Sequence, residues 1–290
     1  MFPSVLYVIS VAKKLFRLVR VRERSFQVKD VDTENILGYG ITTKSVDACT
    51  EEILGWVRNN EQGRYLVCAN PHSLEAARED PLFQEALKKA DMVLPDGIGI
   101  IIASKLLGGT IRERVTGSDI FRELNKGLAR RGGCSVFFLG STEETLGKIR
   151  SKMAIDCPGL RVAGTYSPPF RAVFSESENA AMAAAVNAAR PDVLWVGMTA
   201  PKQEKWIYQH RARLNVKVIG AIGAVFDFYT GRVKRSNPVF LRMGLEWLPR
   251  LLQEPRRLWR RNFVSNPAFL LRVIQVKYSK SAAKEKTLNR

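Results

Sequence analysis

The chain has 290 residues, of which 46% are hydrophobic, so it is long enough to bury a full core. Its four cysteines stand singly, without a CxxC pair or histidines at ligand spacing. This argues against a zinc site or a disulfide framework and favours a reducing cytoplasm. The net charge of +18 is concentrated at the ends, since residues 1–30 carry +5, residues 232–290 carry +12, and the residues between them carry +1. Basic ends of this kind suit an anionic membrane surface, a phosphorylated lipid or nucleic acid.

The first 33 residues are predicted to form a basic leader. The charge-free run over residues 1–12 is about half of the ~20 residues that a membrane-spanning helix needs. Basic residues follow this run rather than precede it, and no A-x-A site comes after it, which is not the pattern of a signal peptide. We therefore expect residues 5–21 to form either a basic amphipathic helix that lies on a membrane or a disordered basic segment.

From residue 34 onward, short apolar runs alternate with segments of helical spacing. Apolar runs of this length, separated by helices, indicate a parallel sheet with helices on both faces. We therefore expect an α/β domain over residues 34–236, with an open, mainly parallel, Rossmann-like sheet. The predicted strands are 36–42, 65–69, 90–95, 135–139, 160–165, 192–196 and 216–222, the last running on to residue 228. The predicted helices are 45–57, 73–89 with a break at Pro81, 99–107, 116–131, 141–153, 175–189 and 202–214.

After Gly231 the pattern changes. Prolines separate short segments in which Leu, Trp and Phe recur at three- and four-residue spacing with arginines between them. This predicts a basic helical appendage over residues 237–278, and the combination of Trp and Arg favours a membrane interface. The alternative is a set of ordinary helices that pack on the sheet with a solvated basic face. Residues 279–290 are predicted to be a frayed tail.

Glycines follow several of the predicted strands. Turns of this kind at one edge of a sheet favour a nucleotide or another polyphosphate ligand. Asp96 stands in such a turn, directly after the apolar run 92–95 and beside Gly97 and Gly99. An acid at this place could act as a general base, or it could cap the following helix. The other glycine turns contain Gly140 with Ser141, Gly197, Gly220 and Gly223.

Two further sites carry polar residues near predicted strand ends. Arg114, followed by Thr116 and Gly117, could hold a phosphate through its guanidinium fork and the helix N-terminal amides, or it could be a surface arginine. Asn70 could bond a hydroxyl, or it could form a turn before Pro71.

The segment GMTAPKQEKW, residues 197–206, is dense with polar groups directly after a strand. Lys202 and Gln203 would point from the first helical turn into a ligand crevice, although a capped helix with a solvated first turn is the alternative. The chain has no Ser-His-Asp order, GxSxG, HExxH, P-loop or complete GxGxxG motif. Its DxD, residues 30–32, lies in a linker, so we expect no bound divalent metal.

Several of these segments, taken together and in order, resemble the WecG/TagA/CpsF glycosyltransferase family. They lie within residues 36–265 and read ADMVLPDGIGIIIASKLLGG, RERVTGSDIF, VFFLGST, GTYSPPF, VGMTAPKQEKWI, GAIGAVFDFYTGRVKRSNP and LEWLPRLLQEPRRLWRR. The resemblance implies a metal-independent, inverting transferase without a cofactor. It would move N-acetylmannosamine or a related hexose from a UDP-sugar to a polyprenyl-diphosphate-linked sugar. The enzyme would be peripheral, at the cytoplasmic face of the plasma membrane, and would serve bacterial surface polysaccharide synthesis.

The same resemblance assigns roles to residues. Asp96 is the implied base, and Arg114 and Gln203 are the other implied catalytic residues. Asn70 matches the asparagine of the family's T-x-N motif, in which Cys68 replaces the threonine. The predicted substrate-binding residues are Asn70, Thr116, Gly117, Gly140, Ser141, Lys202, Arg242, Arg250 and Arg257. The expected partners are the UDP-sugar, the lipid-linked acceptor and an anionic membrane, with a homo-oligomer as a further option and no nucleic acid.

Three other functions compete with this one. The charge would suit a nucleic-acid-binding protein, but the body of the chain is nearly neutral and its basic ends are rich in Trp and Leu. The sheet and its glycines would suit a dinucleotide-dependent oxidoreductase. A non-catalytic or nucleotide-binding scaffold of a polysaccharide synthesis complex is the third alternative, suggested by Cys68.

Overall fold

The computed structural model describes residues 32–233, 259 and 261–288. Nearly all of the predicted leader lies outside these residues, as do Arg242, Arg250 and Arg257. The roles predicted for them, and the division of the chain into leader, domain, appendage and tail, stay predictions.

The described strands form a hairpin and a parallel sheet. Strands β3 to β8 form the sheet in the order β4-β3-β8-β7-β5-β6, and every neighbouring pair is parallel. This confirms the predicted α/β architecture with a parallel sheet. The strands are β1 (Thr33–Ile36), β2 (Tyr39–Thr42), β3 (Arg64–Ala69), β4 (Met92–Pro95), β5 (Ser135–Gly140), β6 (Arg161–Tyr166), β7 (Val193–Gly197) and β8 (Val218–Ala221).

The helices of the described chain connect and cover these strands. A short 3-10 helix, Arg211–Arg213, and a π-helical turn, Arg261–Ser265, complete the helical elements. The α-helices are α1 (Val46–Arg58), α2 (Pro71–Glu79), α3 (Pro81–Lys88), α4 (Ile98–Leu107), α5 (Gly117–Arg131), α6 (Glu143–Asp156), α7 (Glu176–Ala189), α8 (Lys202–His210), α9 (Val225–Tyr229) and α10 (Asn266–Leu288).

Both faces of the sheet are buried. In β7, Leu194 and Val196 join the core on the face covered by α2, α3, α4, α7, α8 and α10, whereas Val193 and Trp195 join the core on the face covered by α1, α5, α6 and α9. Successive strand residues point to opposite faces, so a strand buried on both sides must be apolar at every position. This is why the interior strands appear in the sequence as continuous apolar runs.

The structure corrects the prediction of one strand over residues 36–42. The segment forms the antiparallel hairpin β1–β2, with Ile36 opposite Tyr39. Leu37 and Gly38 both have positive φ, 53° and 92°, which is the conformation of a two-residue hairpin turn. The Oδ1 of Asn35 accepts a hydrogen bond from the N–H of Gly38 and holds this turn.

Two other boundaries depend on local chemistry. The predicted helix break at Pro81 is confirmed, because Asp80 caps α3 by accepting a hydrogen bond from the N–H of Phe83. The last strand is shorter than predicted, since β8 ends at Ala221 and residues 225–229 form helix α9 rather than extended chain.

The final helix packs on the core. Phe269 and Val273 of α10 are fully buried, and the guanidinium of Arg272 lies 3.0 Å from the Glu75 carboxylate of α2. The helix continues to Leu288, beyond residue 279, where the predicted tail begins. Within the described residues, no helix has both the length and the apolar character that crossing a membrane requires.

Candidate active site at the carboxyl edge of the sheet

The candidate residues of the described range gather at one edge of the sheet. Asn70, Asp96 and Ser141 directly follow the carboxyl ends of β3, β4 and β5, and Gln203 follows β7 by one loop. Parallel strands all end at the same edge, where open α/β folds bind their ligands. The loop before α5 is tied to this edge by a hydrogen bond of 3.1 Å from the N–H of Val115 to the carbonyl of Pro95.

Asp96 does not cap the helix that follows it. The N-cap residue of α4 is Gly97, with φ of 114°, which has no side chain with which to cap the helix. The half-buried Asp96 is held by its own backbone, whose N–H donates to the carbonyl of Ala69 over 2.8 Å. The structure therefore disfavours the capping alternative for Asp96 and leaves the role of a base open to it.

Asn70 is a neighbour of the Asp96 turn. A Cβ placed on Gly97 would lie 3.8 Å from the Cβ of Asn70. The Oδ1 of Asn70 accepts a hydrogen bond of 3.0 Å from the N–H of Ser73, whose hydroxyl in turn accepts from the N–H of Asn70 over 2.8 Å. Asn70 thus caps α2, as the turn-forming alternative predicts. Its Nδ2 forms no hydrogen bond within the residues that the structure describes and remains able to donate to a ligand.

The N-terminus of α5 lies against the ends of β3 and β8. Thr116 caps this helix in a reciprocal arrangement with Asp119, so its hydroxyl is already used within the protein. A Cβ on Gly117 would lie 3.1 Å from the Cys68 sulfur and 3.5 Å from the Cα of Ile222. The small Gly117 residue therefore lets the helix end approach the strands closely. Arg114, half-buried, precedes this helix end, which carries the partial positive charge that favours anions.

Cys68 lies under this helix terminus, and its thiol is neutral at neutral pH. Burial, followed by the negative charges of Asp96 and Glu204, raises the pKa of Cys68 well above its ordinary value. A neutral thiol is a weaker hydrogen-bond donor than the threonine hydroxyl that the resemblance implies at this position.

Gln203 is a buried link between two loops. Only 3% of the residue is exposed, and its Oε1 accepts hydrogen bonds from the N–H of Met198, at 3.2 Å, and of Gly223, at 3.0 Å. Its Nε2 donates to the carboxyl of Glu204 over 2.8 Å. The amide of Gln203 thus links the loops after β7 and β8 through hydrogen bonds. It does not point into the open crevice that the sequence predicts.

Glu204 is a buried acid that sequence reasoning missed. It is 2% exposed, and its Oε2 has no hydrogen-bond partner. Burial raises the pKa of Glu204 to about 7, against an opposing contribution from the hydrogen bond of Gln203. A carboxylate in the first turn of a helix is normally solvated and favourable, so the sequence holds no signal for this burial.

The side chain of Lys202 contacts the loop 167–174. The prediction that it points into a ligand crevice is therefore corrected. Its Nζ donates a hydrogen bond of 2.9 Å to the carbonyl of Arg171 and lies 4.7 Å from the centre of the Phe174 ring. Burial lowers the pKa of Lys202. The contacts make Lys202 an anchor of this loop.

Gly140 and Ser141 occupy a tight turn at the end of β5. Gly140 has φ of 114°, and a Cβ there would lie 2.5 Å from the carbonyl oxygen of Gly197. No other residue fits without moving β7. The carbonyl of Ser141, which itself has φ of 61°, accepts a hydrogen bond of 2.7 Å from the hydroxyl of Ser167. The turn brings the loop after β6 to the same edge.

A partly open cavity of about 450 Å³ lies away from these strand ends. It is lined by the β1–β2 hairpin and by residues of α2, α3, α4 and α10, among them Tyr39, Glu75 and Arg272. Its position separates it from Asp96 and from the candidate active site.

The geometry agrees with the comparisons to known proteins. The profile described as glycosyl transferase WecG/TagA/CpsF family matches residues 34–283. A relative from Bacillus spizizenii (strain W23) is 34% identical over 78% of this chain and 84% of its own length. One from Bacillus subtilis (strain 168) is 30% identical over 75% and 82%, and one from Staphylococcus aureus (strain MW2) is 26% identical over 91% and 99%. Each of the three is named N-acetylglucosaminyldiphosphoundecaprenol N-acetyl-β-D-mannosaminyltransferase. The chain belongs to the WecG/TagA/CpsF family of glycosyltransferases.

Proposed function

We propose that the protein is an inverting glycosyltransferase that moves an N-acetylmannosamine or related hexose from a UDP-sugar to a polyprenyl-diphosphate-linked sugar. The observation that carries this proposal is the placement of Asp96. It is a carboxylate at the carboxyl end of β4, one residue before the N-cap of the next helix, and its N–H bonds to the carbonyl of Ala69, next to Asn70. The acceptor class is supported by the names of the relatives, which contain N-acetylglucosaminyldiphosphoundecaprenol.

In the proposed reaction Asp96 acts as the general base. Its carboxylate takes the proton of the acceptor hydroxyl as that oxygen forms a bond to the anomeric carbon of the donor sugar. The bond from the anomeric carbon to the diphosphate oxygen breaks at the same time, and its electron pair leaves with UDP. Attack from the face opposite UDP inverts the anomeric centre. A donor with an α-linked sugar then yields a β product, as in the names of the relatives.

The leaving diphosphate gains negative charge, which the site must stabilise. We propose that Arg114 and the amides at the N-terminus of α5 serve this role, because that helix end lies beside the ends of β3 and β4. Arg242, Arg250 and Arg257 are proposed to add charge from outside the described residues. We propose that these cations carry the role that a divalent metal has in many other sugar transferases.

The setting of the reaction follows from its acceptor. A polyprenyl diphosphate keeps its sugar at the membrane surface, so the enzyme must work there as a peripheral protein. The net charge of +18 would attract it to anionic lipid, since each basic residue near the surface is worth about 1 kcal/mol. We propose that it acts at the cytoplasmic face in bacterial surface polysaccharide synthesis.

A two-step experiment tests this function. The intact protein is screened by thermal shift against UDP, several UDP-sugars and NAD(P), and the UDP-sugars that stabilise it are then offered in radiolabelled form with a lipid-diphosphate N-acetylglucosamine acceptor. We expect UDP compounds to raise the melting temperature and label to move to the lipid without added metal and in the presence of a chelator. Stabilisation by NAD(P) alone, or no transfer from any UDP-sugar, would contradict the proposal.

A further inference from the structure

The exposed apolar side chains of the structure are unevenly distributed. Several of them lie at the carboxyl edge of the sheet, on both sides of the candidate site. Ile98 begins α4 beside Asp96, and Phe170 and Val173 lie on the loop 167–174 that follows β6 at the other end of the sheet. Trp259, Phe263 and Val264 form a third group.

The third group is fixed near the site by a contact with α2. The hydroxyl of Ser265 lies 2.9 Å from the Nδ1 of His72, in the first turn of that helix, which begins at the carboxyl end of β3. The rings of Trp259 and Phe263 lie against each other, with their centres 4.6 Å apart. Segments more than 70 residues apart in the sequence thus present apolar side chains at one edge of the fold.

The loop 167–174 is held in place by side-chain contacts. The hydroxyl of Ser167 bonds to the carbonyl of Ser141, and Nζ of Lys202 bonds to the carbonyl of Arg171 over 2.9 Å. The guanidinium of Arg171 lies 3.3 Å from the carboxylate of Glu178 at the start of α7. These contacts hold the backbone while Phe170 stays fully exposed and Val173 is 80% exposed. Exposing two apolar side chains to water is unfavourable, and burying them against a nonpolar partner would lower the free energy of the protein.

We propose that the loop 167–174, through Phe170 and Val173, is a membrane contact of this protein on the opposite side of the active site from the 259–264 segment. The inference rests on the proposed function, because a lipid-diphosphate acceptor requires the carboxyl edge to face the bilayer.

Charge complementarity selects a lipid surface as the occupant. The apolar tip lies beside a cation, since the Nζ of Lys202 is 5.9 Å from the centre of the Phe170 ring, and aromatic residues next to cations are typical of membrane interfaces. The basic residues at the two ends of the chain, +5 and +12, would attract the protein to the same anionic surface. With contacts on both sides, the strand ends that carry Asp96 and Asn70 would be held over the headgroups where the acceptor diphosphate lies.

The test compares membrane binding and transfer in matched variants. The full-length protein and the double variant Phe170→Ser/Val173→Ser are floated, without substrate, with vesicles of phosphatidylglycerol and phosphatidylethanolamine. We expect the partition coefficient of the double variant to fall about a hundredfold, because burying each of the two side chains is worth about a factor of ten. The control is Ile155→Ser, which removes an exposed apolar side chain at the end of α6, near the opposite edge of the sheet, and should not change binding.

A conservative pair separates hydrophobic contact from loop structure. Phe170→Leu with Val173→Ile keeps the apolar tip and should keep vesicle binding. Transfer to an acceptor embedded in vesicles should fall in the serine variant, whereas transfer to a short-chain soluble acceptor should be retained.

The outcomes distinguish the two proposals. Unchanged flotation of the serine variant, or equal losses in the serine and Leu/Ile variants, would overturn the membrane contact. Reduced flotation together with a complete lack of transfer from any UDP-sugar in the wild type would uphold the membrane contact and reject the proposed function.

Discussion

The two halves of the carboxyl edge use their polar side chains differently. At the ends of β3 and β4, Gly97 rather than Asp96 is the N-cap residue of α4, and the Nδ2 of Asn70 forms no hydrogen bond within the described chain, so this amide is able to donate to a ligand. At the ends of β7 and β8, Gln203 is buried and all its described bonds run to Met198, Gly223 and Glu204. We propose that the first half meets the substrate, whereas the second half holds the strand ends together. A motif residue can therefore matter for a reaction without touching the substrate.

The largest expected effect is on catalysis in the first half. Asp96→Asn should lower the transfer rate about 10²- to 10⁴-fold, because the amide cannot accept the acceptor's proton. Thermal unfolding should show a folded protein, since the substitution is nearly isosteric. The matched control is Glu113→Gln, an exposed acid close to Arg114, which should keep full activity. Wild-type transfer by Asp96→Asn would show that another group is the base.

The next effect is a change in how stability depends on pH. Glu204 has a pKa of about 7 in the folded protein, above its ordinary value of 4.5. Between these values the folded state keeps a proton that the unfolded state has lost, so Glu204 makes the free energy of unfolding fall as pH rises, by about 3 kcal/mol in total. Below pH 4.5 both states are protonated, and above pH 7 the loss is complete.

Glu204→Gln removes this titration and retains an oxygen for the Nε2 of Gln203. We expect the variant to gain stability relative to the wild type between pH 5 and 7.5, as measured by urea unfolding at several pH values. A difference between the two proteins that stays constant across this range would show that Glu204 does not titrate there.

Substitution of Gln203 should lower the stability of the protein. Gln203→Ala leaves the backbone N–H groups of Met198 and Gly223 without their acceptor, and we expect the free energy of unfolding to fall by about 3 kcal/mol. Gln209→Ala, on the exposed side of the same helix, is the control and should be nearly neutral. A stable Gln203→Ala protein with a large loss of kcat would instead place this amide on the substrate.

The smallest effect separates the two uses of Asn70. Asn70→Ala should cost about 1 kcal/mol of stability, because α2 loses its N-cap. Asn70→Asp keeps a capping oxygen and removes the amide donor, so it should leave unfolding nearly unchanged while lowering transfer. If Asn70→Asp transfers at the wild-type rate, the free amide does not bind substrate.

Much of the fold could be predicted from the sequence because local signals and burial agree. The interior strands are apolar on both faces, and Pro81 with Asp80 marks a helix boundary by its own chemistry. The β1–β2 hairpin was missed because its turn has Leu37, rather than Asn or Gly, at a positive φ. The position of Asp96 after β4 was also predictable, since a strand, an acid and a glycine turn are adjacent in the chain.

The roles within the PKQE segment were not predictable in this way. Lys202, Gln203 and Glu204 are consecutive polar residues of one helical turn, and the sequence alone does not distinguish a solvated side chain from a buried one among them. Which of the three side chains is buried depends on segments far away in the sequence. The loop 167–174 contacts Lys202, and the turn at Gly223 covers Gln203.

The sequence by itself determined the parallel α/β architecture, the family, and the acid at the end of β4, because each is written in neighbouring residues. Tertiary structure alone decided that Asp96 lies beside the Asn70 turn while Gln203 is buried and bonded to Met198, Gly223 and Glu204, and that Ile98, Phe170 and Phe263 share one edge. The physical reason is that burial and hydrogen-bond saturation depend on segments far apart in the chain, which only the folded sheet brings together.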